Sequence, residues 1–82
     1  MISVFLLDDD PAIREGLQSV LARYPEELRV VASAGTVGEA LDVVNGQGEI
    51  DVAILDLGLP DGHGVEVIAR IGATRPATAL SV

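Results

Sequence analysis

Two apolar runs in this chain stop abruptly at aspartates. Ile2-Ser3-Val4-Phe5-Leu6-Leu7 runs into Asp8-Asp9-Asp10, and Asp51-Val52-Ala53-Ile54-Leu55 runs into Asp56. Short, nearly continuous apolar runs bounded by polar residues read as strands buried on both faces, the kind that parallel sheets use. A sheet of that kind must be covered by helices on both sides. Its acids are then delivered at the carboxyl ends of the strands.

The intervening segments read as those helices. Asp10 is the predicted N-cap of the first and Pro11 its first helical residue. Ile13, Leu17, Val20 and Leu21 fall on one face, and Tyr24-Pro25 ends the helix because a residue before proline avoids the helical region. Leu28 to Ala34 is a second strand, followed by a turn at Gly35-Thr36. Thr36-Val37-Gly38-Glu39 fits a capping box, and Val37, Ala40, Leu41 and Val44 line the next helical face. Asn45-Gly46-Gln47-Gly48 closes it, with glycine available for a left-handed cap. Gly58 to Gly64 is a loop by composition. Val65 to Ile71 is a short third helix closed by Gly72, and a weaker fourth strand follows Pro76, roughly Ala77 to Val82. The alternation predicts an α/β fold, a doubly wound parallel sheet with right-handed crossovers, in one partial domain over residues 1–82.

Composition narrows the function. The chain has 13 acidic residues against five arginines and no lysine, a net charge of −8. Such a segment repels phosphate backbones and is a poor nucleic-acid binder by itself. The absence of cysteine excludes disulfides, thiolate metal sites and thiol catalysis, and fits a cytoplasmic setting. The apolar start lacks a basic region and a cleavage site, so it is not a signal peptide, and no run approaches membrane-spanning length.

In a flavodoxin-like strand order the first and third strands are neighbours, and Asp8, Asp9 and Asp56 then converge at one edge. Like charges a few ångströms apart repel by about 1 to 4 kcal/mol per pair in a partly solvated site. Three acids without a basic partner need a cation or raised pKa values, and nothing in the sequence aims an arginine at them. Mg²⁺ suits such a site, because it takes one or two carboxylates plus waters and phosphate oxygens. Asp10 is better read as a cap only. His63, the single histidine, reads as an exposed loop residue, and Glu26-Glu27 as a solvated turn.

Leu6-Leu7-Asp8-Asp9-Asp10-Pro11, with Ile54-Leu55-Asp56-Leu57-Gly58-Leu59-Pro60-Asp61-Gly62-His63-Gly64, resembles a bacterial response-regulator receiver of two-component signalling. The loop is similar to the branch that carries LuxR-type helix-turn-helix output domains. The resemblance covers all 82 residues and about two-thirds of a receiver, so it implies a CheY-like fold truncated after the fourth strand. It further implies that Asp56 accepts a phosphoryl group from a sensor histidine kinase and that Asp9 ligates Mg²⁺ directly. Asp8 would assist, Gly58 would offer its backbone carbonyl, and Pro60 and Gly64 would shape the loop. The family's phosphoryl-binding hydroxyl falls near Ser81, though a few residues early, and its lysine has no counterpart. The implied protein is a phosphoacceptor rather than a dedicated enzyme, binding DNA only through an output domain outside this chain. An unpaired fourth strand would favour a homodimer or a domain-swapped assembly. Two rivals stand beside this reading. A haloacid-dehalogenase-like phosphatase shares the Asp-x-Asp spacing of Asp8 and Asp10 but has Thr or Val where this chain has Ala12. A pseudo-receiver would keep the fold without handling phosphate.

Overall fold

The computed structural model describes residues 1–56, 58, 59 and 62–81; Leu57, Pro60, Asp61 and Val82 lie outside the described residues. The order is β1 (Ile2–Leu7), α1 (Pro11–Leu21), β2 (Leu28–Ala34), α2 (Val37–Gly46), β3 (Val52–Leu55), β4 (Gly58–Leu59), β5 (Gly62–His63), α3 (Gly64–Thr74) and β6 (Ala79–Ser81). β2, β1, β3 and β6 form a four-stranded sheet in that order, all parallel. The two apolar runs that end in aspartate are therefore neighbours at the centre of the sheet, as the strand order requires. Leu7 pairs with Leu55, so both runs end at the same level.

Alternate residues of the central strands face opposite layers. Phe5, Leu7, Ala53 and Leu55 pack with Val37, Ala40, Val44, Val67 and Ile71 in the core beneath α2 and α3. Phe5 and Ala53 are wholly buried. The other face holds Val4 and Leu6, both buried, on the side of α1. Here the expected burial of α1 is not met. Its apolar stripe exists, yet no residue of α1 is buried, and Ile13 and Val20 are each 49 % exposed. A 3.6-residue period shows which face of a helix is apolar; how much of that face is covered depends on neighbouring elements.

Both helix starts follow the sequence reading. The Asp10 carboxylate accepts from the Ala12 N–H at 2.9 Å, with Pro11 at the first position. The Thr36 hydroxyl accepts from the Glu39 N–H at 3.1 Å and donates to the Glu39 carboxylate at 3.2 Å. The helix ends differ from it. α2 includes Gly46 and stops at Gln47, whose backbone is extended (φ −71°, ψ 148°) rather than left-handed. α3 starts at Gly64 and passes through Gly72 to Thr74, so Gly72 does not close it.

The reason for the first departure is Arg75, just after α3. Its Nε donates to the Val44 carbonyl at 2.8 Å, Nη1 to the Gly48 carbonyl at 2.5 Å, and Nη2 to the Gln47 carbonyl. Carbonyls at the end of α2 that would otherwise need a glycine cap are met by a guanidinium from a distant element. The same end of the sheet is tied by the Thr78 hydroxyl donating to the Ile50 carbonyl at 2.6 Å, and by the Ser3 N–H donating to the Asp51 carboxylate at 2.7 Å. Asp51 thus precedes β3 rather than opening it. Within the stretch read as a loop, β4 and β5 form a short antiparallel pair, Gly58 opposite His63 and Leu59 opposite Gly62, and Leu59 joins the core. The fourth strand of the sheet starts at Ala79, later than expected, and Ala79, Leu80 and Ser81 are all exposed.

Candidate functional site

The functional edge of a parallel sheet lies beyond the carboxyl ends of its strands. Here the Asp8 N–H donates to the Ala34 carbonyl at 3.1 Å, and the Asp56 N–H to the Leu7 carbonyl at 2.7 Å. The backbone ladders thus continue one residue past each strand and fix where both aspartates leave the sheet. The Asp8 carboxylate accepts from the Asp10 N–H at 2.9 Å, which holds the turn into α1. Asp9 projects from that turn.

Asp8, Asp9 and Asp56 each place one carboxylate oxygen within 4.8 Å of the others. Asp8 and Asp56 are half-buried and Asp9 is exposed. Asp10 is used up by its cap, as expected. The donor set can be tested against Mg²⁺ directly. Octahedral coordination at about 2.1 Å puts ligand oxygens roughly 3 to 4.2 Å apart, and all of them must be hard oxygens. Three carboxylates within 4.8 Å of one another supply hard oxygens at close to that spacing. Repulsion among them, about 1 kcal/mol per pair if well solvated, is what a cation would relieve.

The remaining expected residues sit as follows. Gly58 opens β4 two residues after Asp56, and Gly64 is buried at the first position of α3. Pro60 lies outside the described residues. His63 ends β5. Ser81 pairs with Ile54, two positions before Asp56, which leaves it about 7 Å below the acid edge along the strands. One residue at this edge was missed in the sequence. Arg14, in the first turns of α1, lays its guanidinium over Gly35. Nothing in the spacing of a lone arginine announces this, since Gly35 comes beside it only through the pairing of β1 with β2.

The profile of the response regulator receiver domain matches residues 4–82, nearly the whole chain. The chain belongs to the response-regulator receiver family. It is 48% identical over 76 residues to the DNA-binding transcriptional activator DevR/DosR of Mycobacterium tuberculosis, covering 93% of this chain and 34% of that protein. It is 37% identical over 82 residues to the transcriptional regulatory protein UhpA of Salmonella typhimurium, covering all of this chain and 41% of that one. This receiver therefore spans about a third to two-fifths of these curated relatives. The response regulator RcsB of Salmonella typhimurium superposes with a TM-score of 0.84 over 98% of this chain and 41% of its own, at 23% identity. That likeness concerns the fold, which is the expected CheY-like one. No helix among the described residues is long and apolar enough to cross a membrane.

Proposed function

We propose that this receiver is the phosphoacceptor of a two-component response regulator, taking a phosphoryl group from a sensor histidine kinase onto Asp56. The observation that carries the reading is the meeting of Asp8, Asp9 and Asp56 at the carboxyl ends of two central strands. Asp56 is the nucleophile because it alone comes from β3, facing the pair that leaves β1. One of its carboxylate oxygens attacks phosphorus in line. The new P–O bond forms as the P–N bond to the donor imidazole breaks, and the imidazole leaves with the electron pair and takes up a proton. The product is an acyl phosphate. Asp9, Asp56 and the Gly58 carbonyl would hold Mg²⁺, with Asp8 assisting. The ion, when bound, offsets the charge of the carboxylates and of the transferring group.

Ser81 stands too low along its strand to be needed in this step. The phosphoryl group would add up to two negative charges and three acceptor oxygens beside the β4–β5 pair, enough to reorder it. The setting is cytoplasmic, and the output is control of transcription through a DNA-binding domain, as the names of DevR/DosR and UhpA suggest. A net charge of −8 leaves this segment unsuited to DNA contact itself. Pairing with a second copy belongs to the same reading: RcsB has been solved as two dimers on two parallel DNAs.

Labelling with acetyl phosphate and Mg²⁺ tests the proposal. The protein should retain label, and Asp56→Asn should take none. Label on the Asn variant at the wild-type level would refute the assignment. Rapid release of phosphate without retained label would favour the phosphatase, and neither labelling nor release would favour a pseudo-receiver.

A further inference from the structure

Arg14 is the arginine that the acid site has to reckon with. The Asp8 N–H bonds the Ala34 carbonyl, so the backbone at Asp8 lies one strand spacing, about 5 Å, from the Ala34–Gly35 segment. Directly over Gly35 sits the Arg14 guanidinium: a Cβ built on Gly35 would lie 3.5 Å from Arg14 Cζ and Nη2 and 3.6 Å from Nη1. Arg14 Nε is buried and has no hydrogen-bond partner. Long basic side chains normally reach outward to water. This one is folded back onto a glycine at the carboxyl end of β2, the strand beside the one that delivers Asp8 and Asp9. The chain has no lysine, and its other arginines are elsewhere. Arg23 follows α1, Arg29 is the second residue of β2, Arg70 is late in α3, and Arg75 caps α2.

We propose that Arg14 tunes the charge of the acid edge, weakening its hold on the divalent cation while favouring an anionic phosphoryl donor. The donor half of the proposal rests on the phosphoacceptor reading, and the cation half on the Mg²⁺ site proposed with it. A fixed positive charge acts with opposite sign on the two ligands, and a separation of about 5 to 10 Å, one to two strand spacings, sets the scale. Against a doubly charged ion at that range the effect is about two- to fivefold at low salt, and it is screened almost away above about 0.5 M. Gly35 is part of the device. A methyl group there makes ordinary contact with the guanidinium, whereas a larger side chain takes its seat. Arg14 touches no reacting atom, so it is a positioning residue.

The test uses the full-length protein at about 20 mM salt, with two readouts: calorimetric titration with Mg²⁺, and the rate constant for labelling by acetyl phosphate at saturating Mg²⁺. Arg14→Gln should bind Mg²⁺ about two- to fivefold tighter and label about two- to fivefold more slowly, through a higher KM with kcat unchanged. Arg14→Lys should restore most of both. Gly35→Leu should shift Mg²⁺ binding in the direction of Arg14→Gln, and Gly35→Ala should leave it unchanged. Weaker Mg²⁺ binding in Arg14→Gln, two effects of the same sign, or shifts that persist in 0.5 M salt would overturn the proposal, because damaged packing weakens both activities at any ionic strength. If the wild-type protein takes no label at all, the phosphoacceptor reading fails, and the Mg²⁺ titrations still decide the role of Arg14.

Discussion

Replacing Arg75 by alanine should destabilise the receiver far more than a half-buried surface arginine ordinarily would. The side chain donates to three carbonyls at the end of α2, those of Val44, Gln47 and Gly48, from a position 27 to 31 residues away in sequence. Hydrogen bonds from a charged donor are worth about 1.5–3 kcal/mol each when buried. The bond to Gly48 is exposed and water replaces it at little loss. The bonds to Val44 and Gln47 are part-buried, so about 1 kcal/mol each is a fair share after screening. A cation at a helix C-terminus adds about 0.3–1 kcal/mol. The sum is about 2–3 kcal/mol. At about 2.1 cal/mol/K per residue, unfolding 82 residues as a unit carries an entropy near 170 cal/mol/K, so the melting temperature should fall by roughly 12–17 °C. Circular dichroism at the helical band, followed through heat and urea, reads this. Arg75→Met keeps the stem and removes the bonds, so it should behave like alanine; Arg75→Lys keeps the charge and one bond and should recover about half. If Arg75→Ala loses under about 0.5 kcal/mol, or if methionine rescues as well as lysine, the cap is not what holds α2 to α3.

Three further outcomes follow from the same geometry. Phe5→Ala, at a wholly buried position in the core, should cost about 3–5 kcal/mol and broaden or abolish the cooperative urea transition. Asp10→Ala removes the cap at the Ala12 N–H and should cost about 0.5–1 kcal/mol, the low end because the bond is exposed, with acetyl-phosphate labelling retained. Mg²⁺ at a hundredfold excess over its dissociation constant should raise stability by about 2.7 kcal/mol in thermal melts, and Asp9→Ala should abolish the rise; an undiminished rise in that variant would remove Asp9 from the site.

The parts of this fold legible in the sequence are those governed by local chemistry. An apolar run ending in acid marks a strand and its carboxyl end, and Asp10-Pro11 and Thr36 mark helix starts, because each signal lies within four residues of what it determines. The convergence of Asp8, Asp9 and Asp56 needed only one non-local assumption, that the first and third apolar runs are neighbours, and the register of Leu7 with Leu55 meets it. What escaped the sequence is what depends on a second element. Gly46 carries the composition of a helix stop, yet it is helical, because Arg75 satisfies the end of α2 from outside and removes the need for a left-handed residue; Gly72 is helical too, inside α3. Likewise nothing in the sequence aims Arg14 at this edge; only strand pairing brings Gly35 beneath it.

The two arginines also divide the molecule. Arg75 works at the amino-terminal end of the sheet, where Thr78 and Asp51 add hydrogen bonds of 2.6 and 2.7 Å. The acids work at the opposite end, where the charge is unbalanced and an exposed Asp9 projects from a turn. Concentrating cross-links at one end leaves the other able to change its charge without unfolding the sheet. Stability lost at Arg75 should therefore leave Mg²⁺ affinity at low temperature nearly unchanged, since the two sites sit at opposite strand ends, and such distant effects add. A tenfold loss of Mg²⁺ affinity in folded Arg75→Ala would show instead that the ends are coupled through β3 and that the clamp is part of the switch.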